Sequence, residues 1–223
     1  MHGVDYGGFA YGFWTVVLFS VLVTLFIAFS FVKPKNKFEW RSMGAFMGFI
    51  VALFTEMYGV PLTIYFLTGW LGNEYPVLDP FSHSSGHLVL VFLGISESAW
   101  AMSILHIITN AIIFFGFYIV YKGWQQIHAA NEDELVTAGI YKYIRHPQYV
   151  GMWLVTVGFL IQWPTLITVA IMWPVLMILY YNLSRREERV LYKKFGKEFE
   201  LYKSKVRAYF PRLRKKYGNE MQI

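Results

Sequence analysis

The chain has 223 residues, of which 56% are hydrophobic, 20% aromatic and 15% charged. That is too little charge for a soluble domain of this length and points to a membrane protein. There is no cysteine, which excludes disulfides, thiolate metal sites and a cysteine nucleophile. The formal net charge of +6 sits in juxtamembrane segments, so it serves orientation and contact with anionic lipid rather than nucleic-acid binding.

The apolar residues come in long runs. Phe9–Val32 has no Lys, Arg, Asp or Glu, and predicts a first span. It lacks the basic flank and short core of a cleaved signal peptide. Met43–Leu71 carries one ionisable residue, Glu56, and Ser103–Tyr121 only His106. Pro147–Leu183 carries none. About 20 residues cross the hydrocarbon core, so this last run is predicted to be a helical hairpin broken near Trp163-Pro164. The expectation is a single all-α, polytopic domain with about five transmembrane helices. No internal repeat or second domain is evident.

All Lys and Arg lie in three segments: Lys33–Arg41, Lys122–Arg145 and Arg185–Lys216. Five alternating spans put these on one face, and the positive-inside rule makes it cytoplasmic. Trp14, Trp40, Trp70, Trp124 and Trp163 fall near predicted span ends, as interfacial anchors do. Glu56 is costly in the second span, with His106 and Asn110 as plausible partners. Asp79, His83 and His87 recur at helical spacing in the outer loop. Ser84-Ser85-Gly86 and Pro80 make that segment a poor helix, and it is read as a polar cap rather than a metal site.

Two cytoplasmic stretches carry chemistry. The first runs Leu135-Val136-Thr137-Ala138-Gly139-Ile140-Tyr141 and then Arg145-His146-Pro147-Gln148-Tyr149-Val150-Gly151. Pro147 fits the first turn of a helix, where its missing N–H costs nothing. Arg145 and His146 then stand at that helix's N-terminus, which favours an anionic group. Their plainer role is as positive-inside residues. The second stretch is an apolar stripe, Leu191, Phe195, Phe199, Tyr202 and Val206, at helical spacing over residues 184–207. One turn before it stands Glu187, a carboxylate at the head of an apolar face. This phase turns Glu188 outward to solvent. Glu187 either meets something polar in the fold or pairs with Arg185, Arg186 or Arg189.

The order Leu-Val-Thr-x-Gly-x-Tyr, Arg-His-Pro-x-Tyr-x-Gly, Glu-Glu, then Phe195-Gly196-Lys197-Glu198-Phe199-Glu200-Leu201-Tyr202 resembles the isoprenylcysteine carboxyl methyltransferases and their phospholipid methyltransferase relatives. The resemblance covers roughly residues 116–211. It implies S-adenosylmethionine bound without a Rossmann sheet, and S-adenosylhomocysteine as product. By position, Gln126, Asp133, Glu134, Leu135, Val136, Tyr141, His146, Pro147, Gln148, Tyr149 and Glu187 would bind the cofactor. Arg145 would position an anionic group, and Glu187 would meet the cationic part of the cofactor. The implied partners are the bilayer and a lipophilic or lipid-modified acceptor, reached from the cytoplasmic side. Two positions depart from the prenylcysteine branch. Leu183 stands where an Arg is expected to hold the substrate carboxylate, and Asp133 where a His is expected. The acceptor is accordingly a prenylcysteine-like carboxylate, an amine phospholipid or a small thiol. A carboxylate needs no base, whereas an amine or thiol must lose a proton, with Glu187 or His146 as candidates. An NADPH-dependent reductase of the sterol reductase type and a non-enzymatic membrane protein are the competing classes.

Overall fold

The computed structural model describes residues 12–31, 37–60, 62–63, 86–96, 98–131, 133–165 and 167–212. Among them the chain is helical: α1 Trp14–Phe31, α2 Lys37–Phe54, α3 Leu88–Phe92, α4 Ala99–Ala129, α5 Pro147–Gln162, α6 Trp173–Phe195 and α7 Lys197–Lys205. Single π-helical turns extend α2 to Gly59 and lead into α6 from Thr168. Among the described residues two helices are long and apolar enough to cross a membrane, Lys37–Gly59 and Ala99–Ala129. The predicted third span lies inside α4, and the predicted hairpin is α5 and α6. α5 ends at Gln162, and Trp163 to Thr165 lie outside regular helix, at the predicted break.

α4 and α5 are the most closely packed pair, and small residues are the reason. A Cβ on Gly116 would stand 2.7 Å from the Gly151 carbonyl oxygen, and one on Gly151 would stand 2.6 Å from the Gly116 carbonyl oxygen. The two backbones therefore touch where neither carries a side chain, the usual solution for helices that associate without a water-driven force. Gly123 seats the Pro147 ring two turns further along α4, so the same interface fixes the start of α5. α2 closes the other side. Met43, Phe46, Phe49, Ile50 and Leu53 form one apolar core with Tyr149, Met152 and Val155 of α5 and Leu176, Tyr180 and Leu183 of α6. The Tyr180 hydroxyl donates to the Ser42 carbonyl at 3.2 Å.

Large apolar side chains also face outward, among them Ile107, Phe114 and Phe115 on α4, Phe19 and Phe26 on α1, and Ile171 and Ile178 beside and on α6. Such a surface is at home in lipid and a liability in water.

Polar residues at depth are partnered differently from the expectation. Glu56 accepts a hydrogen bond from the Thr63 backbone N–H at 2.6 Å and another from its hydroxyl. His106 instead meets the Gln162 side chain, and Asn110 is exposed. Asp79, His83 and Trp70 lie outside the described residues. His87 is buried, its Nδ1 2.8 Å from the Gln162 carbonyl oxygen. Among the described residues no cluster of metal-ligating side chains occurs.

The stripe over residues 184–207 is two helices rather than one. Gly196, at φ +52°, ends α6 and starts α7. That backbone conformation suits glycine and reverses the helix without strain. α7 folds back so that Phe199 and Tyr202 bury themselves against Leu135 and Tyr141. The chain then runs beside the loop before α5. Arg145 N–H donates to the Arg207 carbonyl and His146 N–H to the Ala208 carbonyl, each at 3.0 Å.

Candidate active site

A cavity of about 350 Å³ opens where these elements meet. Its volume is in the range of small-molecule and cofactor sites. The polypeptide reaches it from α2, the end of α4, the loop to α5, the first turn of α5, α6 and α7.

The loop is held by its own side chains. Gly139 adopts φ +58°, and a Cβ there would stand 1.7 Å from the Gln126 amide nitrogen. With that space open, Gln126 Oε1 accepts the Ile140 N–H at 3.2 Å. Tyr141 is buried, its hydroxyl within bonding distance of the Gly123 carbonyl at 3.2 Å and Gln148 Oε1 at 3.3 Å. Its carbonyl accepts from the Tyr202 hydroxyl at 2.7 Å, which ties α7 to the loop. Burial, with the nearby Glu187 charge second, pushes the Tyr141 phenol well above its ordinary range, so it acts as a donor.

At the α5 N-terminus the charges are packed together. Pro147 occupies the first turn, and His146 precedes it. Both His146 ring nitrogens face carboxylates, Nδ1 at 3.5 Å from Glu187 Oε2 and Nε2 at 3.3 Å from Glu188 Oε1. Burial disfavours the imidazolium, but bonding to these two carboxylates outweighs it and raises the His146 pKa. Tyr149 donates its hydroxyl to Glu187 Oε1 at 2.7 Å.

Glu188 overturns the expected helix phase. Instead of facing solvent it is buried, with Arg145 Nη2 at 2.6 Å, Arg145 Nε at 3.0 Å and Lys203 Nζ at 2.8 Å. Burial would raise this carboxyl, yet the bonds from His146, Lys203 and Arg145 hold it well below the usual carboxylate range. Arg145 also donates to the Val206 and Lys203 carbonyls. The buried side of α6 passes Leu183 and Ser184 and so takes in both glutamates, which a stripe of apolar residues alone did not reveal.

Of the residues expected at the cofactor, Glu134, Leu135, Val136, Tyr141, His146, Gln148 and Glu187 line this cavity together with Arg145. Gln126, Pro147 and Tyr149 stand behind the wall, holding Ile140, Gly123 and Glu187 as described. Asp133 points outward, its carboxylate 3.3 Å from Lys194 Nζ. Leu183 belongs to the interhelical core. Sequence reasoning missed Phe38 and Glu39 on α2, His128 and Asn131 at the end of α4, and Phe199 and Tyr202 on α7 as wall residues. Glu39 and His128 carried a faint signal, being polar groups at the ends of apolar runs.

These elements coincide with a known sequence pattern. Residues 91–198 match the phospholipid methyltransferase family. The match runs from α3 to the start of α7 and leaves α1 and α2 outside it. The chain is also 34% identical over 82 residues to a protein-S-isoprenylcysteine O-methyltransferase of Schizosaccharomyces pombe, covering 36% of this chain and 35% of that protein. Probable protein-S-isoprenylcysteine O-methyltransferases of Oryza sativa, subspecies indica and japonica, are 35% identical over 91 residues, covering 39% of this chain and 45% of each. The alignments thus span from about a third to under half the length of these relatives. The resemblance to this methyltransferase superfamily, read from the motifs, is borne out.

Proposed function

We propose that the protein is an S-adenosylmethionine-dependent membrane methyltransferase acting on a lipophilic acceptor, with its site at the cytoplasmic interface. The observation that carries this reading is the convergence of Glu134 to Val136, Tyr141, His146, Gln148 and Glu187, all within the matched region, on one cavity.

The donor set fits the cofactor. Leu135, Val136, Leu191 and Phe195 give an apolar wall for a base, and Asn131 and Glu134 give acceptors for hydroxyls. Glu187 supplies negative charge for the ammonium and sulfonium, while His146 and Arg145 supply positive charge for the carboxylate. S-adenosylmethionine, when bound, supplies a methyl group already activated on a sulfonium. The protein's work is therefore to bind, orient and exclude water. Tyr149 and His146 fix the Glu187 carboxylate, so its charge is in place before any ligand arrives. Arg145, bound to Glu188 and the α7 carbonyls, holds the cavity's charged end closed and adds its positive field there.

The outward apolar surfaces of α4 and α6 favour an acceptor with a lipid tail, because a charged soluble molecule would lose hydration there without compensation. A prenylcysteine-like carboxylate ranks slightly first, and an amine phospholipid or small thiol is the alternative. Turnover by purified protein on a farnesylated cysteine derivative, phosphatidylethanolamine and an alkyl thiol decides among them. Activity on none of the three, with S-adenosylhomocysteine bound, would remove the lipophilic-acceptor reading. Cytoplasmic exposure of residues 33–42, 122–146 and 184–223 follows from the Lys and Arg partition. Labelling of single cysteines placed at 72–86 only from the cytoplasmic side would contradict it.

A further inference from the structure

Any acceptor that arrives with an N–H or S–H must give up a proton, and the two groups first expected to take it are already committed. His146 has a carboxylate at each ring nitrogen, and both favour its protonated form over the free base. Glu187 holds the Tyr149 hydroxyl on one oxygen and His146 on the other.

A second histidine lines the same cavity. His128 sits in the last turn of α4, and its Nε2 is buried with no hydrogen-bond partner in the described residues. Such nitrogens are rare in folded proteins, and this one, shut off from the cavity itself, has the Glu39 carboxylate as its nearest charged group. Its near neighbour is Glu39 Oε2 at 3.6 Å, beyond hydrogen-bond length but within ion-pair reach. Glu39 is buried in the first turn of α2, where a carboxylate is favoured by the helix N-terminus. His128 in turn lies in the last turn of α4. The pair joins α4, inside the matched region, to α2, outside it.

Resting on the methyltransferase reading, we infer that Glu39 and His128 form the proton-accepting pair of this site, for acceptors that carry a transferable proton. As the acceptor's nitrogen or sulfur bonds to the methyl carbon, the carbon–sulfur bond of the sulfonium breaks and its electron pair stays on sulfur. The acceptor's proton passes to His128 Nδ1, the ring nitrogen not turned to Glu39, while the Glu39 carboxylate steadies the Nε2 side of the ring. The resulting imidazolium is paired at once with Glu39, with no exposed charge left in the wall. Other charged groups bear on the cavity from its remaining walls: Glu134 from the loop, Glu187 and Glu188 from α6, offset there by Lys194 and by Arg145. Tyr202 on α7 and Tyr141 on the loop before α5 are raised by burial and stay neutral. None of these reaches His128 by a hydrogen bond.

The test uses purified full-length protein in detergent with an amine lipid or an alkyl thiol as acceptor. His128→Ala should lower the rate by at least about 100-fold, the lower bound for losing a general base. The acidic limb of the wild-type pH profile should vanish with it, and added imidazole should restore turnover. Glu39→Gln should lower the rate less and keep the limb. Calorimetric binding of S-adenosylhomocysteine by the same variants separates the two layers of the argument. If wild type fails to bind it, the methyltransferase reading falls. If wild type binds but His128→Ala does not, His128 is a cofactor contact and the inference is wrong. It is equally wrong if imidazole gives no rescue, or if wild type methylates only carboxylates.

Discussion

Replacing Glu188 with alanine should do more damage to the fold than replacing its neighbour Glu187. The Glu188 side chain is 6% exposed and is the shared counter-ion of Arg145, itself 9% exposed, of His146 and of Lys203. Removing it leaves the buried Arg145 guanidinium without its carboxylate and His146 with Glu187 alone. Breaking a buried ion pair from one side costs about 3–5 kcal/mol. Arg145 keeps the Val206 and Lys203 carbonyls, which places the expected loss near about 3 kcal/mol, at the lower end of that range. Lys203 is half-exposed and rehydrates, so it adds little. Glu187, 19% exposed, forfeits mainly the Tyr149 bond, about 1.5–3 kcal/mol for a hydrogen bond to a charged group, with partial relief from water. The assay is denaturant or thermal unfolding in one detergent, with S-adenosylhomocysteine binding in parallel. Glu188→Ala should be the less stable variant, while Glu187→Ala should lose ligand more than stability. Equal stability of Glu188→Ala and wild type would refute the assignment of Glu188 as the buried hub.

Other consequences are equally concrete. Because the folded pKa of His146 is raised, its stabilising contribution is fully present below the ordinary imidazole value and is lost as pH rises through the folded value. Thermal stability should therefore fall on the alkaline side in wild type, and that dependence should be weaker in His146→Gln. Glu188 has the opposite sign: its depressed pKa gives stability above the ordinary carboxylate value, lost as pH falls through the folded one. Gly139→Ala adds a left-handed penalty of about 1–2 kcal/mol and drives Gln126 out of its place, so ligand affinity should drop with little effect on the membrane helices. Leu183→Arg, which would restore the residue expected in the carboxyl methyltransferases, places a cation in the core beside Tyr180 and Leu176. It should lower stability by several kcal/mol without gain on carboxylate acceptors. A folded variant with raised carboxylate turnover would show that residue 183 does reach the cavity.

Much of this was readable from the sequence, and the failures share a cause. The long uncharged run with Trp163-Pro164 inside it located the break between α5 and α6, since a proline cannot continue a helix that it interrupts. Pro147 marked the start of α5, and Glu134, Leu135, Val136, Tyr141, His146 and Gln148 of the motifs lie around one cavity. The phase of Glu188 was misjudged because the stripe counted apolar side chains only. A buried carboxylate surrounded by cations leaves no apolar trace, and its partners Arg145 and Lys203 lie 43 and 15 residues away. The Gly196 reversal was hidden because a stripe that continues across a turn keeps its spacing when the second helix folds back. Glu39 and His128 were invisible as a pair because α2 and α4 meet only in three dimensions.

The central claim is that this cavity binds S-adenosylmethionine. Calorimetric titration of the purified protein with S-adenosylhomocysteine and, separately, with NADPH tests it most directly. Saturable binding of S-adenosylhomocysteine, abolished by Glu187→Ala or His146→Ala in protein that remains folded, and no binding of NADPH, is the predicted result. Binding of NADPH without S-adenosylhomocysteine would contradict the account and favour a membrane reductase.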